Sequence, residues 1–451
     1  MNHQNHHRTR TLAACLALVL ALSLAACGKT SSNGSSQQGS IKAGPGVQPK
    51  QITLGVLTDL SGTFAVLGQA LTQGQQAYWK EQNAKGGVCG RQVKLIVKDH
   101  GYDPQRAVTL YRDLAPNVLA LEQLLGSPVT AALLPQLERD SMYSALSAWP
   151  PSLLGSKVIE ITGTTYDLEA INGIDWMMKH KGLKAGDSIG ILYFEGDYGA
   201  GGLKGVQYAA QKHGLKVVQQ KIKPTDLDMT GQVSAFKRAG VKALWVTTGP
   251  KQLASLVGVA ASVGLNVPVG TNNPAFSPLL LQTPVAKALE ANVTSFGSTA
   301  PISLDKPAVK TTAAAYRKYY PAGTPQAAVV AGWAESEVMN QVLQKACTNK
   351  DLHPSGRRHR AALAELRRHR RSDRGTAGLH EGRPGLDEGG LRRRRRPHRA
   401  RRPEGAQRPV RVAHGAGLSA VGTGDPPPAP AGGRAGRRAP PRATGQLMGI
   451  E

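Results

Sequence analysis

What this chain lacks narrows its chemistry first. Residues 51–347 contain no closely spaced His/Cys cluster of zinc type, so no zinc site is indicated. Their G-x-S-x-G string, Gly186-Asp187-Ser188-Ile189-Gly190, leads into the apolar run 188–194 and does not turn from a strand into a helix as a nucleophile elbow does. Long apolar runs are missing except near the N-terminus. There, residues 12–26 form a run of about 15 residues, short of the roughly 20 that a permanent membrane-spanning helix needs. Aromatic residues amount to 5% of the chain and stop at Trp333, and lysine stops at Lys350. From residue 351 the composition is Arg, Gly, Ala and Pro, with an unbroken arginine run at 392–396. Such a tail buries too little apolar surface to offset chain entropy. It reads as out-of-frame translation of GC-rich DNA, ahead of genuine disorder or a polyanion-binding arm. Roughly half of the formal net charge of +26 sits in this tail, so the charge is no signature of nucleic-acid binding.

The short apolar run has a purpose. Arg8 and Arg10 precede it, and Leu24-Ala25-Ala26-Cys27-Gly28 closes it, the layout of a cleaved export signal. Small residues before Cys27 resemble a bacterial lipobox, which makes Cys27 the expected lipidation site and residues 1–27 the signal. An ordinary signal peptide is the alternative. His3, His6 and His7 belong to the signal and do not form a metal site. Cys15, in an earlier Leu-Ala-Ala-Cys, leaves with it. Residues 28–50 are rich in Ser, Gly and Gln and read as a flexible tether.

The remaining body, to Cys347, is close to 300 residues, enough for two ordinary domains. Short β-rich runs alternate with helical ones: strand 52–57, helix 65–83, strand 93–97, and later strand 188–194, helix 203–213, strand 215–218, strand 243–247, helix 252–263 and strand 267–270. Strand–helix–strand units of this length demand right-handed crossovers and parallel sheets, hence an α/β fold of two Rossmann-like lobes.

Several segments then suggest a family. Gly55-Val56-Leu57 with Leu60-Ser61-Gly62, Asn83-Ala84-Lys85-Gly86-Gly87-Val88-Cys89-Gly90, Gly101-Tyr102-Asp103-Pro104, Gly126-Ser127-Pro128-Val129-Thr130, Gly196-Asp197-Tyr198-Gly199 and the 331–346 helix resemble extracytoplasmic solute-binding proteins of the branched-chain amino acid ABC-transporter type. The resemblance covers about residues 51–350. It implies the type 1 periplasmic-binding-protein architecture, with residues 51–165 plus 295–350 as one lobe, 166–294 as the other, and a ligand cleft between them. It also implies a small-molecule solute, an ABC permease as partner, and a location on the outer face of the cell membrane. A ligand sensor docking to a membrane receptor is the alternative role. No cofactor, no metal and no enzymatic step are expected. The glycines of 199–205 are wrongly spaced for a dinucleotide turn.

Ligands of open α/β sheets bind beyond the carboxyl ends of the strands. Gly126-Ser127-Pro128 lies at such a strand-to-helix turn, where free N–H groups and the hydroxyls of Ser127 or Thr130 suit a carboxylate. Ser127 acting as a cap of its own helix is an equal alternative. In the family the matching turn grips the ligand's carboxylate. Residues 144–148 match the family's second binding loop, placing Ser147 and Ala148 in the site, and Tyr198 matches a tyrosine facing the cleft from the other lobe. Amino-acid binders of the family place a carboxylate in that lobe against the ligand's ammonium. The matching stretch here, 270–274, offers Asn272 and Asn273 and no charge, which makes a branched-chain amino acid a poor fit and leaves amides, carboxylates and aromatic acids open. His100, between Asp99 and Asp103, is expected to make a structural hydrogen bond. With Cys27 lipidated, Cys89 and Cys347 remain as an even pair in an oxidising compartment and are expected to form a disulfide.

If Cys27 is acylated, Cys27→Ser moves the protein from the detergent-extracted membrane fraction to the soluble one. Unchanged membrane retention refutes the anchor.

Overall fold

A computed structural model of the chain describes residues 41–353. The expected export signal with Cys27, the expected tether as far as residue 40 and the tail from residue 354 lie outside the described residues. Two sheets of five strands each, all parallel, organise what is described. The first takes β2 (Gln51–Thr58), β3 (Gln92–Asp99), β4 (Leu121–Leu125), β5 (Ser144–Ser147) and β6 (Ile159–Ile161) in the order β3-β2-β4-β5-β6. The second takes β7 (Ser188–Phe194), β8 (Lys216–Ile222), β9 (Ala243–Thr247), β10 (Val269–Asn272) and β11 (Val293–Phe296) in the order β11-β10-β9-β7-β8.

Central strands are buried on both faces, as parallel sheets covered by helices require. In β2, Ile52 and Leu54 pack with Trp79, Met339 and Leu343, whereas Leu57 joins Leu114 and Leu124 on the other side. Helices α1 (Ala65–Ala84) and α10 (Ala327–Thr348) pair over one face of this sheet, and α2 (Pro104–Leu114) and α3 (Ser127–Asp140) pair over the other. The second sheet is flanked by α4 (Tyr166–His180), α5 (Asp197–His213), α6 (Thr230–Arg238), α7 (Pro250–Ser262) and α8 (Ala286–Asn292). Helix α9 (Pro307–Tyr319) returns the chain to α1 and α10.

Three boundaries differ from the sequence reading. Strand β11 extends to Phe296 and pairs with β10 over its whole length, so the return crossing begins at residue 297 and not 295. The two crossings touch: Thr164 N donates to Ser298 Oγ at 2.9 Å. The tether ends earlier than residue 50. Lys42–Ala43 forms β1, parallel to β12 (Asp351–Leu352), and Val47 bridges Ile52. Leu352 is fully buried, so ordered structure likewise runs just past residue 351. Tertiary pairing of two short segments overrides their polar, glycine-rich composition.

Helix α5 begins at Asp197, six residues before the helix expected from periodicity. Gly199, Gly201, Gly202 and Gly205 lower its intrinsic propensity, yet they permit close approach. A Cβ at Gly202 would meet Thr247 Oγ1 at 2.1 Å, and one at Gly205 would meet the Asp167 carbonyl oxygen at 2.3 Å. Residues 144–147, expected as a loop, are instead strand β5.

Cys89 and Cys347 form a disulfide across 258 residues, with Cα atoms 6.3 Å apart. It ties the turn before β3 to the end of α10. Replacing both cysteines by alanine is expected to lower the unfolding free energy by about 2–4 kcal/mol, read as a lower urea midpoint. An unchanged midpoint would show that the link adds nothing to stability.

Candidate functional site

The residues that could hold a ligand sit beyond the carboxyl ends of strands in both sheets. Phe64 follows β2, Tyr102 follows β3, and Gly126 and Ser127 follow β4; Ser147 ends β5, Tyr198 follows β7 and Pro274 follows β10. They line a small chamber together with Leu67 and Tyr166. Its volume is about 20 Å³, room for about one water. A second chamber of about 20 Å³ adjoins it through the shared walls Leu67, Ser147, Tyr166 and Pro274, and is completed by Leu71, Trp149, Asn273, Ala328, Ala331 and Glu335.

Aromatic rings close the first chamber from both sides. Phe64 stands edge-on to Tyr102 at 4.9 Å between centroids and to Tyr198 at 6.0 Å, and Tyr198 meets Tyr166 at 4.7 Å. These are the offset edge geometries that aromatic quadrupoles favour. The Tyr198 hydroxyl donates to the Thr248 carbonyl at 3.2 Å. Burial holds its pKa well above the usual tyrosine range, so it is a neutral donor.

Ser127 is the first residue of α3. Gly126 before it has φ of 100°, a conformation suited to glycine, and a Cβ there would strike the Tyr102 ring at 2.7 Å. Ser127 is 2% exposed, and its Oγ makes no hydrogen bond of good geometry, although it lies close enough to ease ionisation of the Tyr166 hydroxyl. It does not cap its own helix. A hydroxyl not used by its own helix, free N–H groups of a first turn and the helix dipole converge on one spot in an apolar chamber, an arrangement that suits an anion.

Ser147 Oγ donates to Glu335 Oε1 at 2.8 Å, and Gln75 Nε2 donates to Glu335 Oε2 at 2.9 Å. Burial outweighs these two bonds and pushes the Glu335 carboxyl up to about 7. Two further carboxyls are raised by burial to about 8: Glu122, which accepts from Trp79 and Ser336, and Glu169, which accepts from Asn272.

Three expected site residues lie elsewhere. Thr130 turns its hydroxyl back to the Gly126 carbonyl at 2.9 Å, satisfying itself within the helix. Ala148 is fully buried and outside both chambers. Asn272 is spent inside the second lobe, where Nδ2 donates to Glu169 Oε2 at 2.7 Å and Oδ1 accepts from Thr247 at 2.7 Å. Glu169 is thereby turned away from the chambers, so the carboxyl among their lining residues comes from Glu335 of the first lobe. His100 accepts from the Tyr102 N–H at 3.0 Å through Nδ1; Asp99 holds the Leu60 and Gly101 N–H groups, and Asp103 caps α2. Among the described residues no cluster of three His, Cys, Asp or Glu could hold a metal. No described helix is long and apolar enough to cross a membrane.

Phe64, Tyr102, Trp149, Tyr166 and Glu335 were not singled out from sequence as site residues. One signal was present for Glu335. Ala331, Glu335 and Met339 recur at helical spacing, and all three are buried, which places a charge on an apolar stripe.

A profile of periplasmic binding proteins matches residues 51–377, most of the chain. The chain belongs to the periplasmic binding protein family. The match passes residue 351, where the composition alone had set the end of family-like sequence. Among solved structures, a fatty acid ABC transporter substrate-binding protein from Thermomonospora curvata is 47% identical, with a TM-score of 0.70 over 71% of this chain and 82% of that one. A branched chain amino acid ABC transporter protein from Thermus thermophilus, with bound valine, is 17% identical with a TM-score of 0.61 over 70% of this chain and 83% of that one, a likeness of fold. A Leu/Ile/Val-binding protein homolog from Brucella melitensis is 22% identical over 43% of this chain and 53% of its own length. The chain thus spans about half the length of this curated relative. These relatives of the periplasmic binding protein are binding proteins, not enzymes.

The buried carboxyls give the folded protein a definite pH response. Their folded pKa values lie above the unfolded value of about 4.5, so the native state holds protons that the unfolded chain releases, and stability falls as pH rises from about 4.5 to 8. The melting temperature is expected to drop over that range, and Glu122→Gln to flatten the drop. A wild-type melting temperature that climbs steadily to pH 8 contradicts this.

Proposed function

We propose that this periplasmic binding protein is the solute-binding component of an ABC importer, tethered by Cys27 outside the membrane, and that its solute is an apolar carboxylic acid. The observation that carries this is the buried Ser127 hydroxyl at the N-terminus of α3, uncommitted to its own helix and beside the Tyr166 hydroxyl, opening on chambers walled by Phe64, Leu67, Leu71 and Trp149. The helix end and hydroxyls would take the carboxylate, and the walls would take the hydrocarbon, whose removal from water drives binding. The 47% identity to the fatty acid protein supports the same class.

A zwitterionic amino acid fits less well. Its ammonium group would need a carboxylate opposite Ser127, and Glu169 in the second lobe is committed to Asn272. The chambers are too small for such a solute as they stand. Capture therefore requires the lobes to part at the paired crossings near Thr164 and Ser298, with closure re-forming the aromatic contacts around the ligand. A permease would then meet the closed form.

A thermal-shift panel of octanoate, palmitate, benzoate, leucine and urea tests the reading. A fatty acid at a hundred times its Kd should stabilise the protein by about 2.7 kcal/mol, without turnover. Ser127→Ala should weaken that binding by about tenfold or more, as loss of a hydrogen bond to a charged group does. Stabilisation by leucine alone would overturn the assignment.

A further inference from the structure

Glu335 is 1% exposed on α10, in the wall of the second chamber, and its two oxygens accept from Ser147 and Gln75. Among the described residues it takes part in none of the ion pairs. The elements packed against α10 carry Glu122 on β4, Tyr78, Lys80 and Glu81 on α1, Lys310, Tyr316, Arg317, Lys318 and Tyr319 on α9 and Asp351 on β12, and Tyr166 also lines the chamber. None of the cations among them pairs with Glu335. Lys80 lies over the rings of Tyr319 and Tyr320, Lys318 pairs with Glu81, Lys310 pairs with Asp305, and Arg317 is exposed. An ionised Glu335 is therefore a lone charge in a nearly dry site, and a ligand carboxylate arriving beside it would double the problem.

Ser147 connects the two. Ser147 lines both chambers, and its Oγ carries a single proton. Opposite an ionised Glu335 that proton must point at Oε1, and the chamber sees only lone pairs. Opposite a protonated Glu335 the acid O–H donates to Oγ, and the serine's proton is released to point into the chamber. The first chamber, where Ser127 awaits an anion, then gains a second donor.

We propose that Glu335 sets the direction in which the Ser147 hydroxyl donates, so that the protein takes up an apolar carboxylate together with one proton. The inference rests on the apolar-acid reading above and adds to it a positioning residue and a proton linkage. The balance is simple: solvent supplies one proton to the Glu335 carboxylate, the ligand stays ionised, and the chain of donors runs from Glu335 O–H to Ser147 Oγ and from Ser147 O–H to the ligand oxygen. Burial, which pushes Glu335 up to about 7, puts this exchange within the range of ordinary buffers. The sign follows: above that pH the proton must be drawn from an increasingly dilute supply, so affinity for the anion falls as pH rises.

Isothermal titration of the full-length protein with octanoate, at pH 6 and pH 8 and in two buffers of different ionisation heat, tests the proposal. The wild type is expected to bind about tenfold more weakly at pH 8 than at pH 6 and to take up close to one proton per octanoate at pH 8. Glu335→Gln, which cannot titrate, should show one Kd at both pH values and no proton uptake. Ser147→Ala should bind more weakly at pH 6 and lose most of the pH dependence. A pH-independent wild-type Kd, or Glu335→Gln following the wild-type profile, overturns the proton linkage while leaving the ligand class intact. Full pH dependence in Ser147→Ala overturns the hydroxyl's part, since charge repulsion alone would then suffice. Octanoate binding at neither pH removes the ligand class and the proposal together. If Glu335→Gln fails to fold, the wild-type proton count together with the Ser147→Ala profile still decides whether the linkage runs through this pair.

Discussion

The constraint from which the site follows is the convergence of strand ends from two parallel sheets. Every strand in such a sheet delivers its loop to the same edge, and each following helix points its N-terminus there. Phe64, Tyr102, Ser127, Ser147, Tyr198 and Pro274 come from six strands in two lobes, yet they meet within chambers barely larger than a water molecule. Neither sheet alone could surround a ligand. The lobes are joined by crossings that touch where Thr164 donates to Ser298.

The chemistry inside that space is mostly dipoles. Tyr198 is a neutral hydroxyl held by the Thr248 carbonyl, and Asn272 and Thr247 are locked together beneath the surface of the second lobe. Charge enters at Glu335 alone among the lining residues, and it enters through an alternation: burial favours the acid, while the donors Ser147 and Gln75 favour the carboxylate. Small changes around such a balanced group change its state, which is why its position in a ligand chamber has consequences that an exposed glutamate would not have.

Much of this was legible before the fold. Strands such as 188–194 and 243–247 stand out because buried parallel strands read as continuous apolar runs, and their order implied two α/β lobes. Ser127 was reachable because a strand-to-helix turn carries polar residues after an apolar run, whereas Ser147 and Tyr198 came from the family resemblance. Thr130 and Asn272 were misplaced for an opposite reason: a hydroxyl or amide near a strand end looks the same in sequence whether it faces a ligand or satisfies its own backbone. The start of α5 was missed because its glycines serve packing against Thr247 and Asp167, partners distant in sequence.

Local patterning thus determined the alternation of strands and helices, the two-lobe organisation and the turns where a ligand could be met, since all of these depend on neighbours within a few residues. Tertiary structure decided which hydroxyls face the chambers, where the chain before residue 50 becomes ordered against β12, and that Glu335, 188 residues after Ser147, accepts its hydrogen bond. Those outcomes depend on burial and on partners from remote segments, and no window of sequence contains them.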